Sequence, residues 1–441
     1  MYDKLDLGSC YYKPSFFNMK IDLPISLGDL NDLPEGAMGL YYHEYIHFIQ
    51  DISTIYGLMN ISTINYYIQS CAHHVEKNKS QKAFKVPIEL NEIIDNSKTN
   101  DSGLLNFALR PVYMGSSIKN KSKTIADFTY QVIPYEYSKG EFIDKVSITF
   151  IDSITGEKRC LDFGGNHVTE GMAYLCEQFN YKDILPVAED YPYTIVQKIV
   201  ENIYPEIIEE KILIIALCDI SLMSYHPGLS FVRLLNFIKD KNIVHPDLSL
   251  EDLYSDCLAF IKGSHVEYSD LVDIIKAEIK KNFKADYFDD TNAWIDSIFD
   301  RIKKIRTDIP TFINDLVRFG KPSVNQFFKH LVNFVGSPLV LNSDYDGTIA
   351  LPHNFKIQTE HFNPGIFLAL NQVLRMFYID KPTVCDLKEY CLSSKKVNPN
   401  LEIDEDCDLA PWKKAKSTNL CPVGAIWHHW ALKDFYPNHM S

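Results

Sequence analysis

The sequence predicts a predominantly helical α+β protein, and three observations predict it. From about residue 192 to 335, apolar residues recur at helical spacing, as in "HPGLSFVRLLNFIKDK", "YSDLVDIIKAEIKKNF" and "TNAWIDSIFDRIKKIR". "KVSITFIDSITGEKRCLDFGG" reads as a β-hairpin, with Val146 to Ile151 and Arg159 to Phe163 on either side of a turn at Thr155-Gly156. The last ~105 residues mix both patterns: "SPLVLNSDYDGTIALP" reads as strands and turns, and "NPGIFLALNQVLRMFYI" as a helix.

Along the chain, the first ~30 residues alternate weakly and predict a strand. In "NDLPEGAMGLYYHEYIHFIQDISTIYG", Asn31 or Asp32 can cap a helix, Pro34 suits its first turn and Gly57 can end it. "STINYYIQSCAHHVEKN" predicts a second helix, and residues ~80 to 125 are polar and irregular. The hairpin leads directly into "NHVTEGMAYLCEQFN", a helix opening near Asn166. No internal repeat or low-complexity tract is present. These patterns divide the chain into residues 1–200, a helical region over 201–335 and a mixed C-terminal region over 336–441.

Bulk properties limit the function. A chain of 441 residues can bury large cores without disulfide staples, and its 46% hydrophobic and 23% charged residues are those of an ordinary globular protein. A net charge of −14 argues against nucleic-acid partners, which demand clustered Lys and Arg, and against docking on an anionic membrane. The N-terminus has no basic start followed by an apolar core. The most apolar run, Lys211 to Tyr225, is interrupted by Asp219 and is too short to span a bilayer, so it reads as a buried helix. The ten cysteines are scattered and favour reduced thiols. The expectation is a cytoplasmic protein, with delivery into another cell left open.

The chemistry begins in "GLYYHEYIHFIQD". On a helix His43 and His47 lie one turn apart and can offer two imidazoles to one metal ion. Glu44, rotated by about 100°, can instead reach a water beside that ion as general base. Composition alone would produce such a pattern in roughly 0.03 of chains like this one. Tyr41, Tyr45, Phe48, Ile52 and Ile55 form the apolar stripe of this helix, while the histidines share the other side with Gln50, Asp51 and Thr54. Catalytic zinc needs a third protein ligand. Glu170 in "HVTEGMAYLCE" is the candidate: Gly171 and Ala173 beside it remove bulk, and Tyr174, Glu177 and Tyr181 share its face. His167 is the rival ligand, and an acid favoured by the helix dipole is the plainer reading of Glu170.

HExxH followed by a helix reading EGxAxxxE resembles the gluzincin branch of zinc metallopeptidases, in particular the peptidase-MA-like group. The resemblance covers about residues 30 to 180. It implies a zincin-like core within 1–200, Zn²⁺ held by His43, His47 and Glu170, Glu44 as general base, and hydrolysis of peptide bonds. The spacer between the motifs exceeds 120 residues, and Tyr174 stands where a thermolysin-like pattern has an aspartate. Tyr174, Glu177 and Asp51 are therefore the candidates to support the ligands from behind. Tyr225, His226, His353 and His361 are candidates to stabilise an oxyanion. Peptidases of this type resemble one another in placing a strand edge beside the metal, so the hairpin is either that edge or an ordinary structural one.

Weaker signals remain. Cys385, Cys391, Cys407 and Cys421 lack tight CxxC pairs, so buried free thiols are favoured over a zinc knuckle. Trp427, Trp430 and Phe435 read as core. No P-loop, Rossmann glycine pattern or G-x-S-x-G elbow occurs. The sequence thus predicts a zinc metalloendopeptidase acting on a protein or peptide substrate, selective for a specific intracellular protein and open to control by a regulatory protein, in a toxin, effector or defence role. The rivals are a non-enzymatic binding protein that keeps a peptidase-like shell and a zinc hydrolase of a non-peptide bond.

Overall fold

Helix α1 (Glu35–Ser53) starts directly after Pro34, whose extended backbone and missing N–H suit the edge of a helix rather than its middle. The computed structural model describes residues 10–26, 30–78, 81–93, 102–119, 121–243, 249–263, 265–396, 398–399 and 401–439. Asn31 and Asp32 fall in a 3-10 turn, Leu30–Asp32, so the expected side-chain cap is not what opens α1. Nor does α1 run to Gly57. Thr54 is extended (φ −128°, ψ 155°) and breaks it. The Thr54 hydroxyl donates to Gln50 O (2.7 Å) and accepts from Gly57 N–H (3.0 Å), closing α1 and capping α2 (Ile55–Lys77) at once. Gly57 is needed because a Cβ there would lie 2.2 Å from Asp51 O. The second predicted helix therefore begins before Ser62, one residue past this corner.

The fold is α+β, 55% helical with small mixed sheets. Strands β1 (Tyr11–Lys13) and β2 (Asn18–Lys20) form a hairpin near the N-terminus. The region read as irregular contains β3 (Ala83–Val86) and helices α3 (Leu90–Ile93) and α4 (Ser102–Met114). The predicted hairpin is present as β5 (Glu141–Asp152) and β6 (Lys158–Phe163), and β4 (Ile125–Ser138) extends it to a three-stranded antiparallel sheet. Most of β4 is exposed on both faces, which removes the apolar alternation a strand is recognised by.

Helix α5 (Gly165–Tyr181) follows β6 after Gly164 and packs against α1. The small residue at this crossing is Gly39: a Cβ there would meet Tyr181 and Leu185. Gly171, expected to let α5 approach α1, instead faces Val196, whose Cγ2 would lie 2.5 Å from an added Cβ. The C-terminal strands return to the N-terminal ones. β7 (Leu339–Leu341) pairs parallel with β2 and antiparallel with β8 (Gly347–Thr348), and β9 (Tyr436–His439) pairs parallel with β3. No helix among the described residues is long and apolar enough to cross a membrane.

Asp219, the charge inside the most apolar run, is fully buried on the helix Lys211–Leu222. Arg306, also fully buried, meets it in a bidentate pair at 2.7 and 2.8 Å, and Tyr254 OH donates to the same carboxylate. The remaining guanidinium hydrogens go to Ser53 O, Ser53 Oγ and Pro310 O. All five donors are satisfied, and the cation ties the last residue of α1 to the helical region. Arg306→Ala leaves a buried carboxylate without its partner and is expected to destabilise by about 3–5 kcal/mol. Arg306→Met combined with Asp219→Leu should cost less than that, and urea unfolding of the two chains checks the difference.

Candidate metal centre

One turn of α1 places His43 and His47 side by side, and the crossing of α5 brings Glu170 onto them. The two Nε2 atoms lie 3.2 Å apart, and Glu170 Oε2 lies 3.6 Å from that of His43 and 3.5 Å from that of His47. Among the described residues this is the group of three donors whose ligand atoms all fall within 4.8 Å of one another. It faces a cavity of about 660 Å³, walled by both helices, the N-terminal residues around Tyr12, parts of α2 and α4, Ile118, Lys119 and Lys121, and the segment Leu185–Tyr193.

The outer face of each imidazole decides what the inner face can be. His43 Nδ1 lies 2.9 Å from Glu177 Oε2, and His47 Nδ1 lies 2.8 Å from Gln50 Oε1. Gln50 is held in that orientation because its amide Nε2 donates to Thr169 O. Both partners are acceptors, so both Nδ1 atoms carry hydrogen. In the neutral rings both Nε2 atoms then present lone pairs, at each other and at a carboxylate. Three donors with no hydrogen between them repel unless a cation sits among them, so the residues fit a metal ion.

Without an ion, the same carboxylates draw a proton onto the rings, so a metal would displace it. Burial disfavours a charged imidazole at His43, but the Glu170 and Glu177 carboxylates more than offset it and push its pKa well up. At His47 burial is likewise outweighed, chiefly by Glu170. Burial would raise Glu170, yet His47 and His43 win and hold its carboxyl well below the usual carboxylate range. Glu44 shares the cavity. Burial raises its pKa while both histidines pull it down, and the net direction is up; the Tyr12 amide bonds its carboxylate.

The remaining sequence candidates separate clearly. Of those candidates Glu177 meets His43 Nδ1, whereas Gln50 lies behind His47. Asp51 touches neither ring: its Oδ2 accepts from Tyr12 OH (2.8 Å) and Ser15 N–H (2.7 Å). Tyr174 lines the cavity, but its hydroxyl is held by the Ala188 backbone and it stacks near Tyr193. His167 is fully buried between Gly164 N–H and Tyr191 OH, which rules it out as the third donor. The four oxyanion candidates lie elsewhere. Tyr225 bonds Glu267, His226 caps the helix Pro227–Asp240, His361 stacks on Tyr287, and His353 contributes only backbone atoms to the bonds it makes with Asn333 and Arg301. No residue of β5 or β6 lines the cavity. The strand beside it is β1, an edge of its sheet, which contributes Tyr11 and Tyr12.

Tyr193 is the residue that sequence reading missed. Its ring lies 6.1 Å from that of His43 on the cavity wall. Burial, reinforced by Glu170, Glu44, Glu189 and Glu177, raises its pKa so far that the hydroxyl stays a donor. Nothing in "EDYPYTIV" separates it from the other tyrosines among the 26 in the chain. No family model, curated protein or solved structure matches this chain, so the metal centre stands on these residues alone.

Two outcomes follow from the geometry. Gln50→Ala and Glu177→Gln should each weaken zinc binding by roughly 10–100-fold, read by competition with a chromophoric chelator. Asp51 gives a pH signature. Burial raises its pKa to about 7, against the lowering effect of Ser15 N–H and Tyr12 OH. A carboxyl raised on folding adds stability that is complete below its unfolded pKa near 4 and is lost as pH rises through about 7. Both hydrogen bonds fall on one oxygen, so asparagine can keep them. Asp51→Asn should therefore match the parent chain at about pH 4 and below, and exceed it by roughly 2–4 kcal/mol at pH 8, measured by denaturation at both pH values.

Proposed function

We propose that this protein is a zinc-dependent metallopeptidase that cleaves a peptide bond in a specific protein. The observation that carries the reading is the convergence of two imidazole lone pairs and one carboxylate, with Glu44 in the same cavity. His43, His47 and Glu170 would hold the ion. Zn²⁺ bound there supplies a Lewis acid that polarises a carbonyl and lowers the pKa of water. Glu44 accepts the proton of the attacking water and returns it to the leaving amine; burial, which raises its pKa, favours that return. Tyr193, kept protonated on the wall beside His43, offers its hydroxyl to the oxygen on which negative charge develops.

The cavity supports selectivity. Its walls come from widely separated stretches of chain, and about 660 Å³ holds only a few residues of an extended peptide. A narrow, many-sided site suits a toxin, effector or defence enzyme with one target better than a digestive peptidase, and a regulatory protein could act on the same walls. The volume also suits a small molecule, which favours a zinc hydrolase of a non-peptide bond as the second reading.

Glu44→Gln should retain zinc and lower kcat by roughly 10²–10⁴-fold, whereas Glu170→Ala should lose the metal as well. The test compares the parent chain and Glu44→Gln in whole-cell lysate, with new N-termini labelled and sequenced. Fragments that appear only with the parent chain support the proposal. Identical fragment sets from zinc-loaded proteins would sink it and leave the non-peptide hydrolase, and a chain that binds no zinc at this site would leave a binding protein.

A further inference from the structure

Four cysteines scattered over the C-terminal region converge in space. Cys385, Cys391, Cys407 and Cys421 are all unpaired and together line one cavity of about 20 Å³, room for a single small ion. Much of the rest of its lining is aliphatic, including Leu387, Leu401, Ile403 and Val423. Backbone amides are aimed at two of the sulfurs: Gly424 N–H donates to Cys421 Sγ at 3.4 Å within the turn Cys421-Pro422-Val423-Gly424, and the Leu387 amide bonds the Cys385 sulfur. Such donors stabilise a thiolate rather than a thiol. Lys414, almost buried, lies beside Cys407 and Cys421, with its ammonium paired to Asp404 at 2.7 Å. A second backbone bond, Cys385 N–H to Cys407 O (2.8 Å), ties two of the cysteine-bearing segments together.

We propose that these four cysteines form a second metal site, a tetrathiolate centre for one divalent thiophilic cation of the zinc class. Four soft sulfur donors select zinc over magnesium or calcium; Glu402, which also lines the cavity, accepts from Ser417 Oγ (2.7 Å), and the cavity is too small for an iron–sulfur cluster. No three of these sulfurs yet lie within 4.8 Å of one another, so binding draws them inward by side-chain rotation about χ1. Burial raises the Cys385 thiol to about 12 and pushes Cys391 up as well. On binding, each of the four S–H groups gives its proton to solvent and four S–M bonds form. The centre then carries a net charge of −2, offset in part by the amide donors. This site is structural, it lies apart from His43 and His47, and it does not depend on the peptidase reading.

The test uses the full chain. Elemental analysis should find about two zinc ions per chain, falling to about one in Cys407→Ser. Because that variant can unfold, the deciding measurement keeps every cysteine: the parent protein is stripped and reloaded with Co²⁺. A thiolate-to-cobalt charge-transfer band is expected, since the histidine–carboxylate centre cannot produce one. Mercurial titration of the thiols should then release one zinc ion in step with four sulfurs. A cobalt spectrum with only weak ligand-field bands, or four cysteines recovered as disulfides in freshly prepared protein, overturns the proposal.

Discussion

Two hydrogen-bond acceptors placed behind the histidines govern everything in front of them. Glu177 and Gln50 claim the Nδ1 hydrogens of His43 and His47, and this leaves two Nε2 lone pairs facing each other across 3.2 Å. Neither acceptor would hold its ring without the frame that carries it. Glu177 is placed by the crossing of α5 over α1, which Gly39 permits. Gln50 is placed by the last turns of α1, whose carbonyl at the same residue is bound by Thr54 and whose final residue is gripped by Arg306. A helix free to fray at Ser53 would let Gln50 swing away from His47. The buried Arg306–Asp219 pair, far from the chemistry, thus helps to aim a ring nitrogen.

The same frame explains how the acids of the cavity diverge. Glu170 lies against two imidazoles and stays ionised, so it offers an anionic oxygen beside the two rings. Glu44 is buried with less compensation and is pushed toward protonation. Asp51 is shifted up to about 7 by burial and spends its acceptor capacity on Tyr12 and Ser15, anchoring the N-terminal strand to α1. Three carboxylates close in sequence or space hold three different tasks because their neighbours differ, not their chemistry.

Much of the site was legible in the sequence, and the reason is periodicity. His43 and His47 share a helical face at any spacing of four, and the EGxA helix supplied Glu170 and Glu177 on one side by the same rule. What required three dimensions was anything set by side-chain direction or by chain return. Gln50 and Asp51 are neighbours on the same face, and only the bond to Thr169 O shows which of them reaches His47. Tyr193 and β1 come from segments whose sequences carry no period. Gly57 read as a helix end because glycine commonly is one; here it relieves a clash at a corner made by Thr54. Strand β4 was unreadable because it hides no apolar face.

The chain's return also ties the cysteine cluster to the metal helix. Cys421 caps the short helix Pro422–His429, which carries Trp427 into the core against Phe84 and Phe377. Phe84 belongs to β3, which pairs with β9 just beyond that helix. β3 follows α2, and α2 begins at the Thr54 corner that terminates α1. Fixing the cysteine-bearing turns therefore fixes the helix that packs on β3, and through it the far end of α2. A region that contributes no residue to the cavity is in this way continuous in packing with the helix that holds two of the three candidate donors. The C-terminal additions thus hold one end of α2, while Thr54 at its other end fixes the corner with α1.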